Sequence, residues 1–131
     1  MIVVDSSALI ANLRREPEAD NFLYIIAEAD RCLLSSITWL ETSIVLAGRT
    51  GDATLWTELD ALIARAGIQV VAQDAELAEA ARVAFLLYGR GRHPAALNLG
   101  DCASYALAKQ RNLPLLFKGD DFARTDLQSA A

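Results

Sequence analysis

A chain of 131 residues, 53% of them hydrophobic, is long enough to bury a core of its own and is expected to form one domain over residues 1–131. Its 17 acidic against 12 basic residues give a net charge of −5, which argues against the broad basic surface of a general nucleic-acid binder. No apolar run approaches the roughly 18 residues of a membrane span, and no secretion signal opens the chain, so the sequence reads as cytoplasmic with no membrane partner.

Ile2-Val3-Val4 is a continuous β-branched run, and residues 2–5 are predicted as a short buried strand ending at Asp5. Ser6 and Ser7 are suited to cap the apolar stretch Ala8-Leu9-Ile10-Ala11. Pro17 suits the first turn of a second helix, in which Phe22, Leu23, Ile26 and Ala27 recur at helical spacing. Residues 32–35 read as a second strand, and a helix follows from Ser35 or Ser36 to about Gly48. Gly51-Asp52 begins another helix, with Leu55, Leu59, Leu62 and Ile63 on one side and Gly67 at its end. Residues 68–71 form a third strand. Asp74 opens a long alanine-rich helix that stops near Gly89. A loop, 89–99, leads to a helix from Asp101 to about Arg111 and a fourth strand over 114–117; the tail carries no strong pattern.

Short apolar strands that alternate with helices, without hairpin-length loops, predict a mostly parallel sheet covered on both sides. Ligands of such sheets bind beyond the carboxyl ends of the strands, where Asp5 and Asp120-Asp121 fall. Cys32 and Cys102 lie in apolar surroundings and are expected as free, buried thiols. With one histidine, they do not supply the usual zinc set.

The acidic positions carry the chemistry. Taken singly, Asp5 reads as a helix cap after a strand, Asp101 as a residue complementing a helix dipole, and Asp120-Asp121 after Gly119 as a turn. Glu41 is different. Ile37, Leu40, Ile44 and Val45 form an apolar stripe on its helix, and Glu41 points along that stripe, where a lone carboxylate is expensive. The helix after Asp101 is almost wholly small or apolar and is expected to pack inside. Carboxylates gathered at one sheet edge resist joint ionisation unless a cation joins them, and hard oxygen ligands suit Mg²⁺ or Mn²⁺. Such a centre suits phosphodiester hydrolysis by activated water.

These segments resemble the PIN-domain ribonucleases, specifically the VapC toxins of bacterial toxin–antitoxin pairs. The resemblance lies in Val4-Asp5-Ser6-Ser7-Ala8-Leu9, in Trp39-Leu40-Glu41-Thr42, in the loop 89–99 with Asp101-Cys102 and Tyr105–Lys109, and in Leu115–Phe122 with Thr125-Asp126. It covers essentially the whole chain. It implies a three-layer α/β/α sandwich with a short, mostly parallel central sheet, and a Mg²⁺-dependent endoribonuclease in which Mn²⁺ is a possible substitute. By the same resemblance, Asp5 and Asp101 are the principal metal ligands, and Glu41 acts through water. The fourth acidic position falls to Asp121 or, as the alternative, Asp120, and Ser7 supports the site by a hydrogen bond. A homodimer is implied, silenced by a VapB-type antitoxin that alone meets operator DNA.

Arg90, Arg92 and His93 precede Asp101 in a glycine-rich loop and are candidates to meet RNA phosphates, with Lys118 and Lys109 as lesser ones; a solvated loop is the ordinary alternative. One histidine cannot supply a paired general acid and base, which favours activated water and products with 5′-phosphate and 3′-hydroxyl ends. Trp39 and Trp56 could stack on bases but are expected in core or interface. Two rival readings stand: an aspartate-dependent phosphatase, which would need an acid where Ser7 stands, and a non-catalytic metal- or RNA-binding module.

Overall fold

In the computed structural model, residues 1–48 and 51–131 are described. β1 (Ile2–Val4), β2 (Cys32–Ser35), β3 (Gln69–Val71) and β4 (Leu115–Leu116) form one sheet in the order β3-β2-β1-β4. The apolar runs become strands, fully buried in β1, β2 and β4, while the edge strand β3 leaves Gln69 and Val70 exposed. Every pairing is parallel, with Ile2 opposite Cys32, Val3 opposite Leu115 and Leu33 opposite Gln69. The helices are α1 (Ser6–Leu13), α2 (Ala19–Glu28), α3 (Ser36–Ala47), α4 (Thr54–Ala66), α5 (Ala75–Tyr88) and α6 (Leu99–Arg111), and a 3₁₀ turn spans Phe122–Arg124.

Alternate strand residues feed two apolar layers, as the period of a strand requires. Ile2, Val4, Cys32, Leu34 and Leu116 pack with Leu9 of α1, Phe22 and Ile26 of α2, and Leu59 of α4. Val3, Leu33 and Leu115 pack on the opposite face with Leu77 and Ala84 of α5, and Cys102, Ala106 and Leu107 of α6. The expected α/β/α sandwich is therefore the observed one. Both cysteines are free and buried, also as expected.

Parallel strands put all their carboxyl ends on one edge. The strand order reverses at β1, which has β2 and β3 on one side and β4 on the other. A crevice opens at such a reversal, and Asp5 leads into it directly from β1.

Several boundaries differ from the sequence expectation, each for a local reason. β1 ends at Val4 because Asp5 caps α1; its side chain accepts from the Ser7 N–H, so neither serine is the cap. Pro17 lies in the turn before α2 rather than inside it. α4 starts at Thr54, where the Asp52 carboxylate takes the Thr54 N–H at 2.9 Å, and Gly67 closes it with φ +63. α6 opens at Leu99, two residues before Asp101, because Asn98 is its cap. The tail is ordered: Leu115 N–H donates to Gln128 O and Ala130 N–H donates to Leu115 O, both at 2.9 Å. It thereby covers the free edge of β4, a device of backbone bonding that leaves no side-chain pattern.

The apolar stripe assigned to α3 is the larger departure. The buried residues of α3 are Thr38, Thr42 and Leu46, while Leu40 and Ile44 are 54% and 61% exposed. Threonine hydroxyls face inward because they are satisfied there: Thr42 Oγ1 donates to Thr38 O at 2.7 Å, and Thr38 Oγ1 meets Ser104 Oγ at 3.0 Å. Glu41 therefore lies half-buried at the rim of the helix interface, not within an apolar seam.

Leu33 is 1% exposed at the centre of the sheet. Leu33→Ala is expected to cost about 2–5 kcal/mol in urea unfolding. A loss below about 1 kcal/mol would contradict its place between the layers.

Candidate active site

Asp5 is the best-anchored polar residue of the site. Its backbone N–H donates to Leu116 O at 2.9 Å, so β4 fixes its position, and its side chain is only 1% exposed. Oδ2 accepts from the Ser7 N–H at 3.0 Å and from Ser7 Oγ at 2.7 Å. Oδ1 accepts from Ser104 Oγ at 2.6 Å. These bonds use three of the roughly four acceptor positions of a carboxylate, leaving room for one more partner. The Ser7 hydroxyl donates to Asp5 and itself accepts the Lys118 N–H at 3.0 Å, tying β1 to the segment after β4.

Asp101 is the third residue of α6. Its Oδ2 accepts the Asn98 N–H at 3.0 Å, and Asn98 Oδ1 accepts the Asp101 N–H at 2.9 Å, a reciprocal capping box. One turn later on the same face comes Ser104, which explains how one helix serves both Asp101 and Asp5. Burial pushes the Asp101 carboxyl up to about 7. The Asn98 bond opposes that rise, and the charges of Asp5, Glu41 and Asp121 add to it.

Glu41 reaches the same place from α3. Its Oε1 accepts from Ser6 Oγ at 2.9 Å. Burial raises its carboxyl above the ordinary range; the Ser6 bond opposes this, and the Asp5 charge reinforces it. Asp121 is exposed at the turn after β4, and it is the member of the Asp120-Asp121 pair whose charge bears on Asp101. The fold thus draws Asp5, Glu41, Asp101 and Asp121 together from four separate parts of the chain.

The basic candidates behave differently. Lys118 Nζ is held by Glu16 at 3.0 Å and Glu18 at 2.9 Å, so its charge is engaged away from the four acids; only its backbone supports the site. Arg92 is exposed, and its Nε donates to Leu86 O at 3.3 Å. His93 shapes the loop: Nδ1 accepts the Ala95 N–H at 3.0 Å and the ring packs edge-on against Tyr88. Arg90 is exposed on that loop. Lys109 pairs with Asp126, which Tyr105 also holds through its hydroxyl. Trp56 is no core residue; its Nε1 donates to Ser43 O at 2.7 Å and ties α4 to α3. Trp39 is 41% exposed.

Sequence reasoning missed three supporting hydroxyls: Ser6, Thr38 and Ser104. Ser104 was accessible through its helical spacing from Asp101. Ser6 and Thr38 carry no such signal, because their partners come from distant segments.

Among the described residues, no ion pair joins any of the four acids. Nor, among those residues, does any group of three or more acids, cysteines or histidines stand placed to hold a metal ion together. Mg²⁺ does not require such a group, since it takes one or two carboxylates directly and keeps its waters. All-oxygen donors, crowded negative charge and a spare acceptor position on Asp5 fit a hydrated divalent ion.

The family model described as "PIN domain" matches residues 2–127. Ribonuclease VapC30 of Mycobacterium tuberculosis is 47% identical over 131 residues, covering 99% of this chain and 98% of that protein. Among solved structures, Mycobacterium tuberculosis VapC20, described as a sarcin-ricin loop cleaving toxin, superposes with a TM-score of 0.76 at 18% identity, covering 97% of this chain and 96% of that one. VapBC2 of Rickettsia felis, solved with a DNA fragment from its promoter, gives 0.73 at 16% identity, with 98% and 96% covered. The chain belongs to the PIN-domain family, within its group of VapC ribonucleases.

Asp101 binds its proton more tightly in the folded state, at about 7, than at its ordinary 3.8. Its contribution is harmless below the ordinary value and is lost as pH rises through the folded one, so ionising Asp101 costs stability when no metal is present. In chelator, Asp101→Asn is expected to raise Tm by a few degrees at pH 8 and to leave it unchanged near pH 3. A fall in Tm at pH 8 would mean that a protein cation already compensates Asp101.

Proposed function

We propose that this chain is a Mg²⁺-dependent endoribonuclease, the toxin of a VapBC-type toxin–antitoxin pair, with Asp5, Glu41, Asp101 and Asp121 as its acidic site. The carrying observation is the convergence of these four acids at the carboxyl edge of the sheet, where burial, with the charges of Asp5, Glu41 and Asp121 adding to it, moves Asp101 to about 7. Asp5 and Asp101 would hold the ion, and Mn²⁺ would suit the same oxygens. When bound, the ion supplies Lewis acidity to activate water and stabilise charge on phosphate oxygens.

The chain's own residues do the rest. Ser7 and Ser104 keep both Asp5 oxygens oriented, and the Asn98 cap fixes one Asp101 oxygen. Glu41 orients the attacking water and receives its proton, a role its raised carboxyl suits. Asp121, or its neighbour Asp120, completes the acidic rim. Arg90 and Arg92, both exposed on the loop before α6, would meet RNA phosphates, Arg92 while its Nε stays bonded to Leu86 O; His93 assists by holding that loop's shape. The phosphatase alternative would need a second acid two residues after Asp5, and Ser7 stands there, bonded to Asp5.

Partners follow from the same reading. An antitoxin of the VapB kind would silence the site by setting a basic side chain among the unpaired acids, and operator DNA would be met only through that antitoxin. The exposed Leu40 and Ile44 of α3 and Leu86 and Leu87 of α5 are surfaces suited to a homodimer or to that antitoxin. No described helix is long and apolar enough to cross a membrane; we infer a cytoplasmic protein.

Purified chain with Mg²⁺ is expected to cut RNA, leaving 5′-phosphate and 3′-hydroxyl ends. Chelator should abolish cutting, and Asp5→Asn or Asp101→Asn should slow it at least about 100-fold. Products ending in 2′,3′-cyclic phosphate, or undiminished cutting by both variants, would overturn the assignment.

A further inference from the structure

We propose that Gly100 is a positioning residue: its bare Cα is the seat that admits the Glu41 carboxylate to the acidic site. The inference deepens the functional reading above and rests on it for Glu41's role in catalysis.

Gly100 is the second residue of α6 and is buried. Its backbone does not call for glycine. The residue is helical, with no positive φ, so alanine would fit its conformation and is the better helix former. What excludes a side chain is Glu41. A Cβ on Gly100 would stand 2.2 Å from Oε2, 2.3 Å from Oε1 and 2.3 Å from Cδ of Glu41, far inside van der Waals contact. No backbone or other side chain is among its nearest three neighbours. Glu41 is thus clasped between the Ser6 hydroxyl, 2.9 Å away on α1, and the glycine surface of α6. Three helices meet at this carboxylate, and the one methyl group missing from Gly100 is what allows α3 and α6 to share it.

The obstructed group is the end of a flexible side chain. Gly100→Ala should therefore leave the fold intact and swing the Glu41 carboxylate out of its seat. The loss should fall on kcat, because Glu41 acts on the attacking water and not on RNA binding. Displacing a catalytic group by about 1 Å costs on the order of 100-fold in rate. A generally damaged surface would instead raise KM.

The experiment has two readouts on the full chain. On an RNA oligonucleotide spanning a site that the unmodified chain cuts, Gly100→Ala is expected to lower kcat about 100-fold with KM within about threefold. Wild-type kcat in this variant would overturn the proposal, as would an effect confined to KM. The second readout is a thermal-unfolding cycle in chelator with Glu41→Ala, which removes the obstructing carboxylate. Gly100→Ala should raise Tm clearly in the Glu41→Ala background and raise it less, or lower it, in the Glu41 background. Equal effects in both backgrounds, or unfolding in both, would overturn the proposal; unfolding only in the Glu41 background would support it. Because the cycle needs no activity, it reads the Gly100–Glu41 contact even if the chain proves not to cut RNA.

Discussion

A carboxylate buried at the end of the central strand is the constraint around which this molecule is organised. Asp5 sits where β1 stops, beneath solvent, at the edge where the strand order reverses. A charge there must be met by donors, and each donor commits a piece of the fold. Ser7 commits the first turn of α1. Ser104 commits α6 and, through Thr38, commits α3. The Lys118 backbone, bonded to Ser7, commits the segment that leaves β4. Hydroxyls serve where cations would be the obvious partners, and they leave the negative charge uncancelled.

That uncancelled charge then shapes the chemistry. Burial raises the Asp101 and Glu41 carboxyls most; the charges of Asp5, Glu41 and Asp121 add to it at Asp101, and that of Asp5 adds to it at Glu41. The nearby cation that could have relieved them, Lys118, is drawn off by Glu16 and Glu18. The result is a focus of negative potential on a protein of net charge −5. In the proposed function RNA would approach such a site with a cation between, which would reconcile an acidic chain with a polyanionic substrate. Repulsion without metal and the proposed affinity for a divalent ion would be two consequences of one arrangement.

How much of this was legible in the sequence differs by element. The strands and the two-faced sheet were readable because Ile2-Val3-Val4 and Leu33-Leu34 are continuous apolar runs, and a parallel sheet requires such runs. That Asp5 and Asp101 would meet was readable because strand ends and helix starts converge at one edge. Glu41 was selected by a mistaken argument: its apolar neighbours Leu40 and Ile44 face outward, and α3 buries threonines instead. Periodicity reports that a face is apolar without reporting which neighbour covers it. Ser6, Thr38 and the seat at Gly100 were invisible for a related reason, since their partners lie far away in the chain. The positive charge expected of Lys118 was lost to two glutamates whose proximity only the tertiary fold creates.

The central claim is that these acids are gathered for a divalent cation, and the most direct measurement of it is the Tm as a function of Mg²⁺ concentration at pH 8. A ligand that binds only the folded state must raise Tm as its concentration rises. A saturable rise is expected in the unmodified chain, and its loss in Asp5→Asn. A Tm indifferent to Mg²⁺ and Mn²⁺, or one that rises equally in Asp5→Asn, would contradict it.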